Sequence, residues 1–261
     1  MSPRTGVQVT IARFVDLSDQ VAVVTGAGRG IGEGIAHVLS EAGAAVVLAA
    51  RRAEEVERVA KALRDRGRRA VAAPTDVTDE AAVERLAERA IHEFGALDIW
   101  VNNAGGSPIQ APLTELPRAE WDATIALNLT AVWVCSIVAA KRMRDDGRIV
   151  NISSLAAHGP FPGSGHYAAA KAGVNNLTMT LAAELGPKVR VNAISPGAVP
   201  TEIMMTALKL KQSDLPAFEK AIRLPMRRLG TPEDLGAAVL FFSSPASSWV
   251  TGQVIKVAGA P

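Results

Sequence analysis

Apolar positions along this chain follow two rhythms that alternate from residue 20 to the end. Short runs rich in Val, Ile, Leu and Ala, apolar on both faces and closed by small or polar residues, read as strands. They are QVAVVTG (20–26), AAVVLAA (44–50), RAVAAPTD (69–76), LDIWVNNAG (97–105), RIVNISS (148–154), VRVNAISPG (189–197) and QVIKVAG (253–259). Strands buried on both faces belong to a parallel sheet covered by helices. The stretches between them have helical spacing: in DEAAVERLAERAIHEFG, Glu and Arg face water while Ala, Val, Leu and Ile face inward. TPEDLGAAVLFF opens with a Thr cap, Pro at the first helical position and two acids in the first turn. Repeated β-α-β units imply right-handed crossovers and an α/β architecture, a doubly wound parallel sheet of seven strands flanked by helices. No linker or repeat interrupts it, so residues 19–261 read as one domain behind a polar, mobile leader at 1–18.

Composition narrows the partners. A chain of 261 residues with 48% hydrophobic and 21% charged side chains buries a substantial core and is not disordered. A formal charge of +2 without a polybasic block argues against nucleic acid. The single cysteine, Cys135 in AVWVCSIVAA, excludes an intramolecular disulfide framework and a Cys-based zinc site, and reads as a small buried hydrophobe. The segment MSPRTGVQVT lacks the apolar core of a signal peptide, and no uninterrupted apolar run approaches the roughly 18 residues of a membrane span. The expectation is a cytoplasmic protein, without a membrane partner, acting on a small molecule.

The first predicted strand runs into TGAGRGIG, with Gly26, Gly28, Gly30 and Gly32, and then into a helix. Glycine lets backbone approach a pyrophosphate, which then sits at the positive helix end. The spacing is T-G-x-x-x-G-x-G rather than G-x-G-x-x-G, at the strand ends where a Rossmann-like sheet binds ligands. An NAD site usually carries an acid at the end of the second strand. Here Ala50 stands there, followed by Arg51 and Arg52, and Arg29 lies inside the glycine loop. Guanidinium groups without a carboxylate suit a 2′-phosphate, so NADP(H) is favoured over NAD(H). Arg52 reads as solvating the next helix. Asp76 would lie over the adenine, although an N-cap for the helix after Val77 explains it almost as well.

GSGHYAAAKAG contains the only tyrosine, Tyr167, and four positions later Lys171. On a helix the two share a face, about 6 Å apart along the axis. A phenol titrates near pH 10, and burial raises that further, whereas a fixed ammonium lowers it. Lowering it by about three units needs roughly 4 kcal/mol of preference for phenolate, within reach of a close cation in a partly dry cleft. Tyr167 would then serve as a general acid–base. A packed ring beside a surface ammonium has the same spacing. Ser153 and Ser154 end a predicted strand where this fold places its chemistry, as does NNAG at 102–105. Asn128 sits in an apolar helical run, where its amide needs a partner, a backbone group included.

These pieces, with DV at 76–77, LNL around Asn128, NAISPG and the closing SSWVTGQVIKVAG, resemble the short-chain dehydrogenase/reductase family over nearly the whole chain after residue 18. The resemblance implies that Tyr167 exchanges the proton at the substrate oxygen. Lys171 would lower its pKa and hold the nicotinamide ribose, Ser154 would orient the carbonyl, and Asn128 would hold a water linking Lys171 to solvent. Gly26 to Ile31, Asn103 and Val199 would line the cofactor, and Thr201 would reach its carboxamide. It also implies a homotetramer, with helices around Trp121–Lys141 and Tyr167–Glu184 pairing between subunits. The terminal VAGAP departs from the Asp-Gly-Gly frequent in relatives, which bears on a subunit contact.

The segment at about 198–228, with its Met, Leu and Phe residues, fits a mobile lid over an apolar substrate and an amphipathic helix pair nearly as well. Phe161 falls near the tyrosine, His158 and His166 read as loop residues, and nothing pairs them into a metal site. Within the family, NNAGGS and the stretch from PMRRLG onward look similar to 7α-hydroxysteroid dehydrogenases and 3-oxoacyl-carrier-protein reductases; sugar dehydrogenases share them. The expected substrate is a steroid or other apolar ketone, with an acyl-carrier-protein thioester next. A non-catalytic NADP(H) sensor and a Rossmann-type epimerase or dehydratase are the rival classes.

Overall fold

A computed structural model describes residues 14–107 and 109–260. Seven strands form one parallel sheet: β1 (Val21–Thr25), β2 (Ala45–Ala50), β3 (Ala70–Pro74), β4 (Ile99–Asn102), β5 (Gly147–Ile152), β6 (Val189–Pro196) and β7 (Val254–Val257). Every predicted strand is present, trimmed by a few residues where the chain turns into a loop. The order β3-β2-β1-β4-β5-β6-β7 reverses direction between β1 and β4, opening the crevice where such sheets bind ligands.

The helices are α1 (Gly30–Glu41), α2 (Ala53–Asp65), α3 (Glu80–Phe94), α4 (Arg118–Ile125), α5 (Ala131–Arg142), α6 (Gly165–Leu185), α7 (Glu202–Ala207), α8 (Leu215–Ile222) and α9 (Pro232–Ser243). Strand alternation divides the core. Val21 and Val23 of β1 face a cluster built with α3, α5 and α6, while Ala22 and Val24 face one built with α1, α2 and α9. Caps end the helices as the sequence implies: Asp79 accepts from Ala81 and Ala82, and Thr231 and Asp234 form a capping box. Asp79 therefore caps α3, and the alternative of Asp76 as that cap is corrected.

Most of the predicted leader lies outside the described residues. Its last residues are structured, however: Leu17 is buried against the α1–α2 cluster and donates from its backbone to Ala42. The domain boundary thus precedes residue 17.

The α4–α5 segment, Arg118–Arg142, is long and apolar enough to cross a membrane by length and composition. A π turn at Ala126–Thr130 joins its halves, and 56% of its most apolar window is buried within the protein, as in a core helix. A buried polar chain ties this layer to the sheet. Trp100 donates to Asn102 (2.8 Å), Asn102 to Ser136 (2.9 Å) and Asn151 (2.8 Å), and Asn151 to Thr178 (2.9 Å). Every link has a partner, so the network fixes α5 and α6 in register with β4 and β5 at low cost.

On the other face, α1 and α9 approach through glycine. A Cβ on Gly34 would lie 2.3 Å from Pro232, and one on Gly236 2.6 Å from Val38. Gly34→Val should therefore destabilise by about 1–3 kcal/mol, a fall of roughly 3–10 °C in Tm. Gly159→Val, in extended backbone with open space around it, should barely move it. Equal melting curves for the two variants would contradict this packing.

Candidate active site

One cavity of about 1220 Å³ opens over the carboxyl ends of the strands. Its lining includes Gly26, Gly28, Arg29, Gly30, Ile31, Arg51, Asp76, Val77, Asn103, Ser154, Tyr167, Lys171, Val199 and Thr201. Every sequence-predicted site residue except Asn128 is among them.

The glycine loop is shaped to admit a ligand backbone. Gly26 has φ +65°, and a Cβ there would lie 2.8 Å from the Asn103 amide; on Gly32 it would lie 2.2 Å from the Gly26 carbonyl. Asn103 donates to the Thr25 carbonyl (2.8 Å) and the Gly26 carbonyl (3.2 Å), while the Thr25 hydroxyl accepts from the backbone of Asn103 and Ala104. Thr25 and Asn103 thus clamp the β1 and β4 loops together at the switch point. This narrow cradle at the start of α1 fits a dinucleotide pyrophosphate.

Around it, Asp76 accepts from the Thr78 backbone and hydroxyl, bonds that hold its carboxyl below the usual range, with nearby Arg51 adding to the effect. Arg51 is exposed on the rim, and Arg52 pairs with Glu55 at 2.6 Å, solvating α2 as expected. Arg29 differs from the expectation of a free phosphate ligand: its guanidinium pairs with Glu202 at the start of α7, bridging the glycine loop to the far wall. Val199 is buried, and the Thr201 hydroxyl caps α7 by accepting from Met204.

The chemical centre lies where β5 meets α6. Ser153 turns inward, donating to Asn175 (2.6 Å). Ser154 faces the cleft, where its oxygen accepts from Ala156 (3.1 Å) and its hydrogen is left to donate. Tyr167 lines the same wall with Lys171 beneath it, the ammonium 5.7 Å from the ring centre. Lys171 is 2% exposed, and its ammonium donates to the Ile152 carbonyl at 2.8 Å. Burial pulls its pKa down to about 8, so it stays mostly charged at neutral pH.

Burial also holds the Tyr167 phenol above its ordinary 10, with the Ser154 hydroxyl pulling the other way. In the protein alone, then, burial outweighs the Ser154 hydrogen bond.

Asn128 stands in the π turn between α4 and α5. Its side chain is fully buried outside the cavity, donating to the Gly106 (3.0 Å) and Thr124 (3.0 Å) carbonyls and accepting from Gly106 (2.8 Å). With both amide hydrogens used, it braces the loop after β4. The π turn, a local widening frequent at functional sites, presents it there.

His166, expected in a loop, is the second residue of α6 and fully buried, whereas His158 is exposed, 2.8 Å from Ser195. The roof of the cleft is apolar: Ile203, Met204, Leu208 and Phe218 line it from α7 and α8. Among the described residues, no three His, Cys, Asp or Glu side chains gather as a metal site.

A family described as enoyl-(acyl carrier protein) reductase matches residues 26–259. The cis-4-hydroxycyclohexanecarboxylate dehydrogenase of Sinomonas cyclohexanicum is 43% identical over 93% of this chain and 96% of its own. The 7α-hydroxysteroid dehydrogenase of Escherichia coli K12 is 36% identical over 93% and 94%. A solved 7α-hydroxysteroid dehydrogenase, complexed with NADH and 7-oxo glycochenodeoxycholic acid, superposes with a TM-score of 0.88 at 34% identity, covering 97% of each chain. The chain belongs to the short-chain dehydrogenase/reductase family. It is an oxidoreductase of alcohol and ketone groups that uses a nicotinamide cofactor.

The buried ammonium carries a pH signature. Because its pKa falls from 10.5 unfolded to about 8 folded, the unfolded chain binds the extra proton between those values. Wild-type stability relative to Lys171→Met should therefore rise by about 2–3 kcal/mol from pH 7 to pH 10, read by urea denaturation. A flat difference would mean that the ammonium is not desolvated.

Proposed function

We propose that this protein interconverts a ring ketone and its secondary alcohol with NADP(H), Tyr167 serving as the general acid–base. The observation that carries the reading is one wall on which Ser154, Tyr167 and Lys171 face the same cleft as the glycine cradle. The bound nicotinamide supplies or accepts the hydride. Ser154 donates to the substrate oxygen and fixes the carbonyl against Tyr167. Tyr167 gives its proton to that oxygen in reduction and takes it back in oxidation. Lys171 stabilises the phenolate left behind and offers its remaining hydrogens to the ribose.

The substrate class follows from the apolar roof together with the relatives. Both named activities concern a hydroxyl on a saturated carbocycle, a hydroxycyclohexanecarboxylate in one and a 7α-hydroxysteroid in the other. A six-membered ring, alone or fused, suits walls of Phe161, Ile203, Leu208 and Phe218. A carrier-protein thioester, or a sugar, is the second reading.

NADP(H) preference rests on Ala50 ending β2 without a carboxylate and on Arg51 at the cleft rim, which has no salt bridge among the described residues, whereas Arg29 and Arg52 have acidic partners. A homotetramer agrees with the apolar side chains left on the surface, Trp133 and Met179 on α5 and α6, and Phe241, Trp249 and Ile255 around α9 and β7. Ala258 packs against Gly197, so the departure at VAGAP reaches the cleft floor as well as that edge.

Two measurements test this reading. Tyr167→Phe should lower kcat for ketone reduction by about 10³-fold or more with little change in NADPH affinity; equal turnover would remove Tyr167 from the chemistry. Arg51→Ala should weaken NADPH about 10- to 100-fold and leave NADH within about threefold, as expected for a lost charge-assisted bond. Tighter binding of NADH than NADPH by the wild type would overturn the cofactor assignment.

A further inference from the structure

Besides the dinucleotide-facing loops, the cleft has a second set of walls that includes Ser107, Gln110, Phe161, Ser164, Ile203 and Leu208, none of them charged. Behind Ser107 stands a buried histidine that the proton route above does not use. The His166 side chain is fully buried, its Nε2 lies 2.9 Å from the Ser107 hydroxyl oxygen, and its Nδ1 is buried without a partner among the described residues.

That geometry selects a tautomer. A proton on Nδ1 would leave a buried N–H with no acceptor, whereas a proton on Nε2 leaves only a lone pair unmatched, the lesser cost. Burial holds the imidazole pKa below 6.5 against the opposing pull of Glu120, so the ring is neutral at pH 7. Nε2–H therefore donates to Ser107. The Ser107 hydrogen then has an internal acceptor at Ile109, at 3.3 Å near the limit of a hydrogen bond. The preceding residue, Gly106, is fixed by Asn128 on both its N–H and its carbonyl. The hydroxyl is thus a positioned donor, weakly committed inside the protein and facing the substrate walls.

We propose that Ser107, set by His166, is the specificity-determining donor for an acceptor oxygen, such as a carboxylate's, carried by the ring substrate away from the reacting carbon. This rests on the ring-ketone reading above and adds the group that the protein selects. His166 is a positioning residue: it touches Ser107 and not the substrate.

The test compares 4-oxocyclohexanecarboxylate with cyclohexanone, using NADPH, in the wild type, Ser107→Ala, His166→Phe and His166→Gln. The wild type should show a KM about tenfold or more lower for the oxo acid, the size of one hydrogen bond to a charged group. Ser107→Ala should raise that KM about tenfold with kcat within about twofold, and leave cyclohexanone unchanged. His166→Phe should reproduce the rise, and His166→Gln, whose amide can still donate to Ser107, should restore most of the affinity. A wild type that reduces both ketones without preferring the acid overturns the role of Ser107 while the ring-ketone reading stands. So does a Ser107→Ala variant that loses both substrates equally. A wild type that reduces neither overturns the reading and this inference together.

Discussion

One ammonium group beneath one phenol organises the functional half of this fold. Lys171 is almost without solvent contact, and it is tolerated there because the Ile152 carbonyl at the end of β5 accepts from it. The cost of burying that charge is visible in its lowered pKa. A stable fold gains nothing from placing a cation there. In the proposed mechanism the placement supplies positive potential where the phenol gives up a proton, and the register of β5 with α6 brings the Ile152 carbonyl to the ammonium.

That register is made by polar groups rather than by shape alone. The chain from Trp100 through Asn102 and Asn151 to Thr178 spans β4, β5 and α6, and every member is bonded. Thr25 and Asn103 tie the glycine loop to the loop after β4, and Asn128 and His166 brace the continuation of that loop at Gly106 and Ser107. The cleft is therefore assembled from separate strand ends by short directional contacts, each easily lost through one wrong side chain. Its roof is held differently, by apolar side chains from α7 and α8 and by an exposed Arg29–Glu202 pair, an interaction that water and salt weaken.

The architecture was readable because a parallel sheet repeats its signal: each strand is apolar on both faces, and each is followed by a capped amphipathic helix. Tyr167 and Lys171 were readable because a helix makes neighbours of residues four apart, and Ser154 because a strand end marks the cleft. What escaped were contacts between residues remote in sequence. Arg29 and Glu202 are 173 positions apart, and Ser107 and His166 are 59 apart. His166 sits in a stretch of Gly, Ser and Pro that reads as loop until the helix start is known. Asn128 was singled out by its apolar surroundings, but only the π turn shows that its amide faces Gly106. The net direction of the Tyr167 pKa was out of reach for another reason: it is set first by burial, with the Ser154 hydroxyl opposing, and the spacing of Tyr167 and Lys171 reports neither.

Because Tyr167 is the only tyrosine, its ionisation can be followed directly through tyrosinate absorbance. In the protein alone the phenol should titrate above its ordinary 10. With the oxidised nicotinamide cofactor bound, its positively charged ring and the Lys171 ammonium should together bring it below 10 in the wild type, and in Lys171→Met it should stay above. An unchanged titration on adding the dinucleotide, or the same fall without the lysine, would contradict the central claim that this ammonium prepares the phenol for proton transfer.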